Sequence, residues 1–145
     1  MIRVVLDTNV FVSAILSPEG QPARILELAL EGRMKVVVSP SIVREIWQVF
    51  QYQKIKRLLK KRKLTPLEVE DAILKILKVA FLTLDQLHLE GITSDPADDM
   101  VICCAVEGQA HFIISGDKAL TDLNSYQGIQ IIEPAAFLQL IADLR

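Results

Sequence analysis

The segment VVLDTNVFVSA, Val4 to Ala14, decides how the chain is read. With Ile2 and Arg3 before it, it opens as a short, β-branched apolar run, the pattern of a strand buried on both faces. The run stops at Asp7, passes through Thr8 and Asn9, and turns apolar again to Leu16, where a short helix is expected. A carboxylate at the end of a buried strand costs free energy unless a backbone donor or a cation compensates it.

Working outward, the same alternation repeats. Lys35–Ser39, Phe112–Ser115 and Ile129–Ile132 are short apolar runs that predict strands, and Phe81–Leu84 predicts a further one. Between them lie helical patterns with punctuated ends. These are Pro22–Gly32, Ser39–Gln51 with Ser39 as N-cap, Thr65–Ala80 opening Thr-Pro, Asp95–Gly108 with Asp95 as N-cap, and Pro134–Leu144. A turn and short helix are expected over Gly116–Leu123. Strands alternating with helices predict an α/β fold: a parallel sheet of about four to five strands flanked by helices. No repeat, low-complexity run or linker divides residues 1–145, so one domain is expected.

Composition excludes several classes. Half the residues are apolar, enough for a core. The longest apolar runs are too short to cross a bilayer, and Met1-Ile2-Arg3 leads straight into a strand, so no leader, no membrane contact and a cytoplasmic location are expected. Cys103 and Cys104 are adjacent, lack metal-ligand spacing, and read as core thiols of a reducing compartment. The net charge of −2 argues against binding nucleic acid by charge alone. The charges are segregated, however: Lys54, Lys56, Arg57, Lys60, Lys61, Arg62 and Lys63 form a run without an acid, while Asp95, Asp98 and Asp99 cluster.

In an open α/β sheet, ligands bind beyond the carboxyl ends of the strands. Asp7 follows the first strand, Glu45 lies in the helix after the second, Asp117 follows Phe112–Ser115, and Asp95, Asp98 and Asp99 open the helix leading into that strand. Four segments thus bring acids to one edge. Each has a local alternative: Asp7 and Asp117 as turn residues, Asp95 as a cap, Asp98 as a first-turn acid. Glu45 is harder to explain locally, because it lies along the stripe of Ile42, Ile46, Val49 and Phe50. Converging carboxylates stay ionised only when a cation joins them. With no Cys/His ligand set, the expected ion is Mg²⁺ or Mn²⁺ rather than zinc. Such an ion activates water and polarises a phosphoryl oxygen without a histidine base. Asn9 is read either as a residue that orients Asp7 or contacts substrate, or as a helix N-cap.

LDTNVFVSA, Glu45 after the second strand, and SDPADDMVICCAVEGQAHFIISGDKAL together resemble the PIN-domain nucleases over nearly the whole length. The resemblance implies a PIN-like three-layer sandwich and a metal-dependent endoribonuclease cutting single-stranded RNA to 5′-phosphate and 3′-hydroxyl ends. Many similar bacterial proteins are toxins of toxin–antitoxin pairs, which implies an antitoxin partner and a homodimer. Helical periodicity does not choose between Asp98 and Asp99. The family pattern of an acid followed by apolar and small residues fits Asp99 to Ala105, so the implied catalytic and metal-binding quartet is Asp7, Glu45, Asp99 and Asp117, with Asp98, Asn9 and Ser115 auxiliary. His111 and the cysteine pair depart from the family pattern, outside the expected chemistry.

The basic run reads equally as an RNA-binding surface offsetting an acidic site or as a solvated helix face. Trp47, Phe50 and Tyr52 beside it read as packing. The apolar faces of Ile42–Tyr52 and Leu67–Ala80 suit a homodimer. Two rivals remain: a non-catalytic RNA- or protein-binding module on the same fold, and a metal-dependent phosphatase. Asp-Thr-Asn in place of Asp-x-Asp after the first strand disfavours the second. DNA flaps are an alternative substrate.

Overall fold

The computed structural model describes residues 1–143. β1 (Arg3–Leu6) lies at the centre of a six-stranded sheet with β2 (Lys35–Val38), β3 (Phe81–Leu82), β4 (Phe112–Ile114), β5 (Ser125–Tyr126) and β6 (Ile129–Ile132), in the order β3-β2-β1-β4-β6-β5. All neighbours pair in parallel except the β5–β6 hairpin at one edge. The expected α/β fold with a mainly parallel sheet is present, with two differences of detail. The strands number six rather than four or five, and the sheet is mixed. The two residues of β5 carry no apolar run; the turn beside it is formed by Gln127 and Gly128, at φ +48° and +84°. β3 is also shorter than Phe81–Leu84.

The helices are α1 (Thr8–Leu16), α2 (Gln21–Leu30), α3 (Pro40–Val49), α4 (Gln53–Lys61), α5 (Pro66–Val79), α6 (Pro96–Glu107), α7 (Lys118–Thr121) and α8 (Pro134–Asp143). Their starts obey local chemistry. Ser39 Oγ accepts from Ile42 N, and Thr65 and Glu68 close a reciprocal capping box. α2 packs against α1, α5 and α8, whereas α6 lies across β1, β2 and β4. Right-handed crossovers place these two sets on opposite faces and give three layers. The central strands are buried on both sides: Val4, Val5, Val37, Ile113 and Ile114 have no exposure. The apolar faces of α3 and α5 turn mainly inward through Ile42, Ile46, Val69, Ile73 and Ile76, leaving Tyr52, Leu67 and Leu74 exposed. Among the described residues no helix is long and apolar enough to cross a membrane.

One close approach fixes α6 on the sheet. A Cβ added to Gly108, the C-cap of α6, would stand 2.3 Å from Val37 Cγ1. The chain runs leftward from β1 through β2 to β3, then returns to β4 on the other side of β1. The carboxyl ends of β1 and β4 therefore form a topological switch point, where open α/β sheets form clefts.

Candidate active site

β1 ends in Asp7. Its backbone N–H continues the ladder to Ile114 O and its carbonyl accepts from Phe11 N, so Asp7 occupies the N-cap position of α1. Its carboxylate does not cap the helix. Instead Oδ2 accepts from Ser115 Oγ at 2.8 Å, and the same hydroxyl accepts from Asp117 N at 2.9 Å. Ser115 thus joins the ends of β1 and β4 and fixes the Asp7 rotamer. Asp117 caps α7 through one oxygen, which accepts from Ala119 N.

Asp98, in the first turn of α6, completes the group. Single carboxylate oxygens of Asp7, Asp98 and Asp117 lie within 4.8 Å of one another. Asp7 and Asp98 are buried, and Asp98 Oδ2 has no hydrogen-bond partner. Burial is the main force raising the pKa of both; for Asp98 it is joined by repulsion from Asp117, Asp7, Asp95 and Asp99, and the result is about 6. The Ser115 bond opposes the rise at Asp7, while the Asp117 charge adds to it.

Glu45 flanks this trio rather than joining it. Burial raises its pKa, the nearby Thr8 hydroxyl opposes the rise, and the Asp7 and Asp95 charges add to it. The geometry between Thr8 and Glu45 is loose: Thr8 Oγ1 and Glu45 Oε2 both lack a well-formed partner. Of four buried side-chain polar atoms left unpaired among the described residues, three border this site. The ion pairs among the described residues all join Arg24 or Arg33 to Glu27 or Glu31, so none reaches it. The N-termini of α1 and α6 offset part of the negative charge.

Asp99 stands elsewhere. Adjacent helical residues point about 100° apart, and the carboxylate of Asp99 turns from the trio toward Gly91 and Thr93, accepting from both backbones. The family pattern selected Asp99 over Asp98; the geometry brings Asp98 to Asp7 and Asp117 instead. Asn9 lies inside α1, exposed, so the N-cap reading of Asn9 is corrected as well. Asp95 is the α6 N-cap, accepting from Ala97 N, and it is also close enough to act on Asp7, Glu45 and Asp98. Thr8 was missed, since a threonine opening a helix carries no distinguishing sequence signal.

The basic run forms exposed α4 and the turn after it. Lys56 and Lys60 border an apolar hollow of about 470 Å³ with Trp47 and Phe50; Phe50 is buried in the core and Trp47 packs against it, whereas Tyr52 is exposed rather than packed. Arg62 has a structural duty: its guanidinium donates to Leu16 O and Ser17 Oγ at the C-terminus of α1. That end is roughly 13 Å along the helix from Asp7. Both cysteines are free and buried, and burial pushes the Cys104 thiol up to about 12, as inert core residues require.

A family model described as PIN domain matches residues 3–119. The chain belongs to the PIN-domain family. Another similar protein is the uncharacterized MJ1680 of Methanocaldococcus jannaschii, 36% identical over 138 residues, which cover 90% of this PIN-domain chain and 83% of that protein. Among solved structures, the PIN-domain chain resembles a chain of VapBC2 from Rickettsia felis, crystallised with a DNA fragment from its promoter. The TM-score is 0.56 at 13% identity, covering 90% of this chain and 97% of the other. At that identity the likeness concerns the fold.

Proposed function

We propose that this PIN-domain protein is a divalent-metal-dependent endoribonuclease acting on single-stranded RNA, and the toxin member of a toxin–antitoxin pair. The observation that carries the reading is the convergence of Asp7, Asp98 and Asp117 within 4.8 Å with no partner for Asp98 Oδ2. Buried polar atoms are almost always satisfied, and a hard, oxygen-preferring cation would satisfy this one. All the donors are carboxylates, which suits Mg²⁺ or Mn²⁺.

Asp7, Asp98 and Asp117 would hold the ion, with Glu45 beside them. When bound, such an ion supplies charge stabilisation at a phosphoryl group and a nucleophilic water at neutral pH. The chain's own residues do the rest. Ser115 holds Asp7 in the orientation that faces Asp98. Glu45, with its raised pKa, an unpaired oxygen and the Asp7 charge close by, is suited to move a proton beside the trio. The exposed cations Lys54, Lys56, Arg57, Lys60, Lys61 and Lys63 would offset the repulsion between RNA and an acidic cleft.

PIN domains are generally nucleases, and the VapBC2 likeness supports an antitoxin partner. The reading places one nuclease unit over residues 1–145 in the cytoplasm, as a homodimer. Its test is incubation of purified protein with labelled single-stranded RNA and Mn²⁺, beside EDTA and an Asp7→Asn variant. Cleavage lost in both controls is expected. Folded protein that neither cleaves nor gains thermal stability from Mn²⁺ would instead be a binding module.

A further inference from the structure

Residues 83–95, between β3 and α6, contain no helix or strand, yet they are held at regular intervals. Ser41 donates to Asp85 through its backbone N–H and its hydroxyl. Three side chains of α6 then take backbone N–H groups from this strap. Glu107 accepts from Gln86 N, Cys103 Sγ from Leu89 N, and Asp99 from Gly91 N and Thr93 N. Positions 99, 103 and 107 are spaced by four and form one row on the helix. The row replaces the backbone ladder that an extended segment would otherwise need.

The Asp99 end of the row is the most heavily used. Oδ1 accepts from Thr93 N at 2.7 Å and lies 2.8 Å from Thr93 Oγ1, while Oδ2 accepts from Gly91 N at 3.1 Å. Gly91, at φ +71°, holds a backbone conformation that favours glycine. Thr93 Oγ1 also lies 2.9 Å from Asp95 O and accepts from Asp95 N. Asp95 O in turn accepts from Asp98 N and Asp99 N. The bonds therefore close a ring: Asp99 to Thr93, Thr93 to Asp95, and Asp95 to the turn that carries Asp98.

We propose that Asp99 is a positioning residue, whose carboxylate clamps residues 91–95 onto α6 and so sets where Asp98 stands against Asp7 and Asp117. The proposal rests on the metal-site reading above. Asp99 does not touch the ion. Groups that orient metal ligands typically change affinity by about 10–100-fold when removed, less than the loss of a ligand itself.

The test compares Asp99→Ala, Asp99→Asn and Asp98→Ala with the full-length wild type, by amide hydrogen exchange, Mn²⁺ titration and RNA cleavage. Asp99→Ala is expected to speed exchange at Gly91 and Thr93 roughly tenfold or more. It is also expected to weaken Mn²⁺ binding and to regain its cleavage rate at saturating Mn²⁺. Asp98→Ala is expected to leave the Gly91 and Thr93 amides protected and to stay inactive at any Mn²⁺ concentration. Asp99→Asn keeps an acceptor for Thr93 but not for Gly91, so exchange rises at Gly91 alone; this variant serves if Asp99→Ala does not fold. Protected Gly91 and Thr93 amides in the Asp99 variants, or an Asp99→Ala defect that Mn²⁺ does not rescue, overturn the proposal. Wild-type protein that binds no Mn²⁺ overturns it together with the metal site. Absent cleavage with the Mn²⁺ order intact overturns the ribonuclease reading alone.

Discussion

Asp98→Asn is expected to make the metal-free protein more stable at neutral pH, although it removes a group from the site. Asp98 is 5% exposed, one oxygen is unpaired, and its pKa stands near 6 against an ordinary 3.8. Ionising it in the folded state is therefore harder than in the unfolded chain. A difference of about two units corresponds to about 3 kcal/mol at pH 7. A raised acid pKa sets the sign: this penalty is absent below about pH 4, grows as pH rises through the interval between 3.8 and 6, and is complete above it. Asparagine removes the charge and offers an amide donor to Asp7 and Asp117. For a chain of this length the gain amounts to roughly 6–12 °C in Tm. Urea denaturation in EDTA at pH 4, 5.5 and 7 would measure it, with wild type and variant equal at pH 4 and diverging upward. Mn²⁺ at about a hundred times its Kd adds about 2.7 kcal/mol to wild type alone and cancels the advantage of the variant. A variant less stable than wild type in EDTA at pH 7, or a gap that does not close on acidification, would refute the argument that Asp98 is an uncompensated buried charge.

Three further outcomes are expected. Gly108→Ala drives a methyl into the buried Val37 side chain and costs about 1–3 kcal/mol in chemical denaturation. Ser115→Ala strips a donor from Asp7 and an acceptor from Asp117 N, so stability falls by about 1–3 kcal/mol. The Asp7 pKa also rises, and the pH at which Mn²⁺ binding is half-maximal moves upward in a titration series. Thr65→Ala opens the capping box of α5 and costs about 1 kcal/mol by urea denaturation, leaving RNA cleavage at wild-type rate.

Sequence revealed the sheet where burial is two-sided. Val4–Leu6, Val36–Val38 and Phe112–Ile114 are apolar at every position because both faces are covered, and such runs admit few other readings. It missed Ser125–Tyr126, whose place depends on pairing with β6 rather than on its own side chains. Within the site, Asp7 and Asp117 could be placed because each follows a strand. The stripe of Ile42 and Ile46 marked Glu45 as facing inward. Asp98 and Asp99 could not be separated by composition or period, since what sorts them is a set of backbone N–H groups at Gly91 and Thr93. Backbone donors have no letter in a sequence. Arg62 was grouped with its basic neighbours for the same reason: the carbonyl of Leu16 that engages it is visible only in the fold.

The register Leu6↔Ile114 makes the site a calliper with one fixed jaw. Asp7 directly follows β1, and Asp117 stands three residues past β4, tied back through Ser115; the two parallel strands themselves are spaced about 4.8 Å by their ladder. Asp98 belongs to the other jaw, because α6 lies on the sheet through side-chain packing and shares no ladder bond with it. With an ion held there as proposed, the opening between the jaws would set which ionic radius fits. The selectivity of the proposed site would then depend on packing under α6, at residues such as Val37 and Gly108 that never meet the ion.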